Sequence, residues 1–195
     1  MCYGGLKFTK YAAAIVLATL WGGAQAAGTF SVLYGQKSLE KSDWEPLDSQ
    51  SELGFLVTFQ QPDWPLAFAG SYLSSEDSYT ETAFFTVPVK ITAETTEVSF
   101  GIRKNLSEER VKVFVEGGLA SISAKITVKP TGFASSSDSD SAMGFWFGAG
   151  LDAMVGDSVS IGGLVRLSSA NVTLGDVDVA AGGTHFGLYA AYHFQ

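Results

Sequence analysis

Two residues of this 195-residue chain can take up and release a proton near neutral pH, His185 and His193. A hydrolytic site would need one of them as a base, with a nucleophile and an orienting acid in hydrogen-bond reach. Thiol chemistry has no place, because the one cysteine, Cys2, lies in an N-terminal segment read below as removed. Metal binding is no better served. The histidines stand eight residues apart in "THFGLYAAYHFQ" (184–195), too far along an extended strand to share an ion. The other chemistry-bearing residues are scattered acids and bases: Glu52, Glu97, Glu116 and Asp152, with Arg103, Lys112 and Arg166. Such groups line or gate a water path, or they neutralise one another in a closed interior. The elements that carry them decide which.

Those elements are strands. In the closing segment the even positions are Phe186, Leu188, Ala190, Tyr192 and Phe194, and the odd ones include both histidines. Period-two alternation places the two sets in different media. Seven earlier segments alternate in the same way, with apolar sets Phe30/Val32/Tyr34, Leu53/Phe55/Val57/Phe59, Leu66/Phe68/Tyr72, Val98/Phe100/Ile102, Val111/Val113/Val115, Phe145/Phe147/Ala149/Leu151 and Val159/Ile161/Val165/Leu167. Each has about the ten residues that cross a bilayer at a tilt. Their connections alternate too. "QPDWP" (61–65), "NLSEER" (105–110) and "VGDS" (155–158) are tight turns, whereas 37–50, 75–92, 129–141 and 170–182 are longer and rich in Ser, Thr, Asp and Gly.

The N terminus supplies the address. Lys7 and Lys10 precede a short apolar run, Tyr11 to Leu20, and Ala24-Gln25-Ala26 fits a small-residue cleavage site. Residues 1–26 are therefore expected to be a signal peptide and 27–195 the exported domain. Loss of Lys7 and Lys10 leaves ten basic residues against 20 acidic ones. So acidic a chain is unsuited to nucleic acid, whose phosphates demand basic patches. No stretch after residue 26 approaches a spanning helix, so any membrane crossing must be made by strands.

The apolar face is expected to meet lipid. It is continuous on every strand and ends on aromatics suited to interfacial girdles: Phe59, Trp64, Tyr192 and Phe194 below, Tyr34, Tyr72 and Phe186 above. The mixed face is rich in small residues, as the narrow interior of eight strands must be. The expected fold is all-β, an eight-stranded antiparallel transmembrane β-barrel with short periplasmic turns and long extracellular loops. Side chains nearly fill so small a lumen, so the seven charged residues above are expected to form an internal polar network. Passage of large solutes is not expected.

In this pattern the chain resembles the small bacterial outer-membrane barrels of the OmpA/OmpX type, across its whole mature length. The resemblance implies residence in the Gram-negative outer membrane, contact with its lipid, and a C-terminal aromatic signal read by the assembly machinery. Phe194 with Tyr192 looks like that signal, although Gln195 departs from it by one residue. Some small barrels that resemble this one modify lipid A. Here both histidines share the inward parity and neither has a serine two residues away, so no enzymatic activity and no cofactor are expected.

The middle of the chain is the most informative. "AFFTVPVKITAETTEVSFGIRK" and "VKVFVEGGLASISAKITVKP" are longer than a membrane requires. An antiparallel register with residue numbers summing to 215 pairs Ile102 with Val113, Arg103 with Lys112 and Ser99 with Glu116. Carried upward, it pairs Ile91 with Ala124, Val89 with Ile126 and Val87 with Val128. There the apolar residues have moved to the inner face while Lys90, Thr92, Ser121, Ser123, Lys125 and Thr127 face out. A sheet does this on leaving lipid for water. The expectation is a hairpin protruding above the membrane, like the protruding strands that OmpX-type members use toward external proteins. Two functions follow: a non-enzymatic surface protein of adhesion type, whose protruding strands and acidic loops contact external partners or support outer-membrane integrity, or a porin-like narrow channel or small-ligand carrier using the lumen charges.

Overall fold

A computed structural model describes residues 27–82, 87–107 and 110–194. The signal-peptide reading of 1–26 and the terminal Gln195 lie outside these residues. Eight long strands are present: β1 (Ala27–Ser38), β2 (Ser49–Gln60), β3 (Ala67–Thr82), β4 (Pro88–Asn105), β5 (Val111–Pro130), β6 (Ser136–Met154), β7 (Val159–Ser169) and β10 (Gly183–Phe194). Two short strands, β8 (Asn171–Leu174) and β9 (Val177–Ala180), pair with each other, and a single helical turn, α1 (Lys41–Trp44), lies between β1 and β2. The long strands close in the order β1-β10-β7-β6-β5-β4-β3-β2, every neighbouring pair antiparallel. Closure by β1 on β10 satisfies the backbone groups that an open edge would leave bare in lipid. Among the described residues no helix is long and apolar enough to span a membrane.

The faces fall where the alternation places them. Val32, Phe55, Phe100, Val113, Phe147, Val165 and Leu188 point outward and are exposed. Arg166, Glu52, Glu97 and Glu116 point inward and are buried. Outward aromatics stack across strands, Phe30 on Phe55 and Phe68 on Phe100. On each strand the outward apolar run gives way to polar residues at one end, at Gln36, Ser51, Ser74, Thr96, Ser121, Ser141, Ser169 and Thr184. That end is the extracellular one, because the long connections lie there and the short turns lie at the other.

Three features differ from the sequence expectations. First, the β4–β5 register pairs Arg103 with Glu116 and Gly101 with Gly118, four residues from the expected sum. An even slip leaves every side chain on its own face, so the pattern of faces could not detect it. The expected register set Arg103 against Lys112, a like-charge pair that destabilises a ladder. The observed one joins opposite charges, and it brings the backbones so close at the glycines that a Cβ on Gly101 would lie 2.2 Å from the Gly117 oxygen. Second, much of the expected loops at 75–92 and 129–141 is strand. β3, β4, β5 and β6 all rise beyond the lipid band, so the protrusion is a four-stranded sheet rather than one hairpin. Third, the top of the barrel is capped. Leu39, Trp44 and Leu47 from the β1–β2 connection and Val172 and Leu174 from β8 pack onto Ala93, Ala120, Ile122, Ala124 and Trp146 of the wall. Trp44 Nε1 donates to the Ala180 carbonyl at 2.7 Å, and the Asp43 carboxylate accepts the Ala180 N–H at 2.9 Å. The two connections are thereby tied to each other above the lumen.

Candidate functional site

Below this cap the lumen holds a polar layer whose charged side chains come from five strands, β1, β2, β4, β7 and β10. Arg166 of β7 is ion-paired with Glu97 of β4 and donates to Ser71 Oγ of β3 at 2.7 Å. Its guanidinium also lies 3.9 Å over the Trp146 ring. Ser71 is bonded in turn to Ser99 at 2.6 Å. Glu52 of β2 accepts from Ser75 at 2.9 Å and from His185 Nδ1 of β10 at 2.6 Å. The other imidazole nitrogen, Nε2, is 3.0 Å from Ser168 Oγ and 3.5 Å from Glu97. Above, Lys37 Nζ donates to Thr95 Oγ1 at 3.2 Å and to the Ala181 carbonyl at 2.9 Å, while Thr95 donates to Gln50. Lys37, Glu52, Glu97, Arg166 and His185 are all essentially fully buried. Charges so placed are tolerated because they are paired and hydrogen-bonded. Deleting one partner leaves the other desolvated and alone.

An apolar cluster lies beside this layer, interrupted where Arg166 and Glu116 flank Gly148. On β10 it is Tyr189 and Ala191, on β7 Leu164, on β2 Leu56, and these join Leu33, Leu73 and Phe114 in one cluster. Toward the short turns lies a second polar group around a cavity of about 210 Å³. There Arg103 Nε donates to Glu116 at 2.8 Å, with its guanidinium 3.8 Å over Phe114. His193 Nε2 lies 2.7 Å from Ser160 Oγ and 3.6 Å from Asp152, and its Nδ1 lies 3.2 Å from Thr29 Oγ1. Lys112 lines this cavity opposite Asp152.

The seven charged positions read from sequence thus divide between two groups. Glu52, Glu97 and Arg166 belong to the upper one; Arg103, Glu116, Lys112 and Asp152 belong to the lower. Sequence reasoning missed Lys37 and Gln50, which fell in an expected loop where parity was not applied. It also missed Ser168 and Ser160, which become partners of histidines only through the β7–β10 register. Of the protruding residues, Ile91 lies opposite Val128, Ile126 opposite Ala93, Ala124 opposite Thr95 and Val89 opposite Pro130, so the expected pairings are replaced. Ala124 is fully buried and Ile91 and Ile126 pack against the capped core, while Val87 precedes β4.

A family profile described as outer membrane protein beta-barrel domain matches residues 8–194. No curated protein matches the sequence. Among solved structures, Ail, the attachment invasion locus protein of Yersinia pestis, in complex with the heparin analogue sucrose octasulfate, aligns with a TM-score of 0.63 at 17% identity, over 87% of this chain and 99% of that one. Neisserial surface protein A aligns with a TM-score of 0.55 at 12% identity, over 87% and 97% of the two chains. OprG of Pseudomonas aeruginosa aligns with a TM-score of 0.51 at 11% identity, over 87% and 94%. At these identities the likeness is one of fold.

Proposed function

This chain belongs to the outer membrane β-barrel family and resides in the bacterial outer membrane, and we propose that it acts there as a surface protein whose protruding β3–β6 sheet contacts external partners. The observation that carries this reading is the four-stranded extension itself. Its inner face is packed by Ile91, Ala93, Ile122, Ala124 and Ile126. Its outer face presents hydroxyls and lysines to water, with Thr92 opposite Thr127, Thr96 opposite Ser123, and Lys90 opposite Lys129. A sheet that rises rigid from the membrane displays a defined surface at little conformational-entropy cost on binding. Ail, named for attachment, has the same architecture. The role needs no chemistry. The filled lumen, with the apolar cluster of Leu33, Leu56, Leu73, Phe114 and Leu164 inside it, argues against conduction as the main task. The closing strand, with Tyr192 and Phe194 at its end, is the segment we assign to the assembly machinery.

The test is a shortened barrel. Ser78 faces Thr92 and Thr127 faces Ser137. Each pair can therefore be rejoined by an Asn-Gly turn in place of 79–91 and 128–136. The shortened protein should insert and keep heat-modifiable gel mobility, while cells displaying it should lose adherence to an epithelial layer. Undiminished adherence would move the function away from the sheet.

A further inference from the structure

The contact role leaves one arrangement unused, in which a serine, a histidine and a carboxylate stand in line. Glu52 Oε2 accepts from His185 Nδ1 at 2.6 Å, which leaves Nε2 facing Ser168 Oγ at 3.0 Å. Ser75 donates to the same Glu52 oxygen and fixes the carboxylate. In this order the acid selects the tautomer, and the imidazole is free to take the serine proton. Glu97 Oε2, buried and without a hydrogen-bond partner, also comes within 3.5 Å of Nε2, while Arg166 holds the other oxygen, Oε1.

Ser168 is not sealed in. It is half-buried and lines a cleft of about 220 Å³ where β1, β7 and β10 end, between Ser38, Glu40, Asn171, Ala180 and Gly183. The cleft sits at a definite height. Leu167, one residue below Ser168, and Phe186 on the neighbouring strand are exposed lipid-facing residues, while Ser169, Thr184 and Ser38 begin the polar rim. The join between acyl chains and headgroups is where a membrane lipid carries its ester bonds. Gly182 lines the cleft as well. Its N–H is donated to the Ala170 carbonyl at 3.3 Å.

We propose that Ser168, His185 and Glu52 form an acyl-ester hydrolase site for outer-leaflet lipid. Ser168 Oγ bonds the acyl carbon as its proton passes to His185 Nε2. The bond from that carbon to the alkoxy oxygen breaks, and the proton leaves with the alcohol. Water, deprotonated by His185, then attacks the acyl-serine, releasing the fatty acid and restoring the serine. Ser168 and His185 are the catalytic residues; Glu52 is a positioning residue.

The test uses the folded, heat-modifiable barrel in detergent with a fluorophosphonate reagent, and in two lipid arms, phosphatidylethanolamine vesicles and purified lipopolysaccharide. The expected result is a covalent label mapped to Ser168 and fatty-acid release from one arm, which identifies the ester's source. Ser168→Ala should abolish both while keeping heat-modifiability and surface adherence, and Ser160→Ala should leave both intact. Glu52→Gln should slow labelling by ~100-fold, and Glu52→Asp, which keeps the charge, should recover part of that loss. Should Ser168→Ala not fold, Ser168→Cys replaces it, retaining a nucleophile that iodoacetamide must modify faster than a cysteine at Ser160. A folded barrel unlabelled at Ser168, labelling without release from either lipid, or release that survives Ser168→Ala overturns the proposal.

Discussion

His185 and His193 lie on one strand, on one face, each beside a serine and an acid, yet the barrel makes different sites of them. His185 has a carboxylate on Nδ1, with a serine and the more distant Glu97 on the Nε2 side, beneath a packed cap and with a side chain 1% exposed. His193 has a threonine on Nδ1, with serine and Asp152 both on the Nε2 side, and its side chain is 20% exposed at an open cavity. The partner on Nδ1, a carboxylate in one and a threonine in the other, separates an aligned relay from a simple hydrogen-bonded cluster. Burial follows position: β1, β2, β7 and β10 end under the cap above, while below only short turns close the strands.

Three experiments probe how deep that contrast goes. The largest effect should come from Arg166→Ala. It strands a fully buried Glu97 and should cost about 3–5 kcal/mol of barrel stability. Arg103→Ala, whose partner pair is 12% and 2% exposed beside the lower cavity, should cost less. Urea unfolding in detergent compares them, and equal losses would erase the distinction between the capped upper end and the lower one.

A smaller effect is expected at the cap. Trp44→Phe keeps the bulk but leaves the Ala180 carbonyl without its indole donor, a loss of about 1–3 kcal/mol. Proteolysis at 39–48 and 170–182 should accelerate several-fold at unchanged barrel mobility. If cleavage does not change, the cap is held by packing alone.

The smallest concerns Asp140, on β6 above the lipid band. The N–H groups of Thr173 and Ser141 hold its carboxyl below the usual carboxylate range, and the first of these bonds, at 2.9 Å, ties the β8–β9 hairpin to the sheet. A depressed folded pKa stabilises above the ordinary carboxylate pKa, and the contribution disappears as pH falls through the lowered value. Cleavage of 170–182 should therefore rise slightly in acid, and Asp140→Asn should show that rate already at neutral pH. A wild-type rate with no acid dependence would remove Asp140 from the clamp.

What was legible in the sequence is what depends on neighbours along the chain. Period-two alternation sets each residue's face within its own strand, so the lipid-facing and lumen-facing sets, the eight strands and the short turns could all be read from "THFGLYAAYHFQ" and its counterparts. The inward parity of Glu52, Glu97, Arg103, Glu116, Asp152 and Arg166 was readable for the same reason. Register was not readable, because a slip of four residues preserves every face. Only the three-dimensional fit of Arg103 to Glu116 and of Gly101 to Gly118 distinguishes the two alignments. The β3–β6 sheet was half hidden, because above the lipid its outward residues are Ser, Thr and Lys, the same types that make loops. The cap, the division of one polar network into two, and the meeting of Ser168 with His185 and Glu52 were decided by tertiary structure alone. They join strands β2, β7 and β10, and a contact across strands is set by registers summed around a closed barrel.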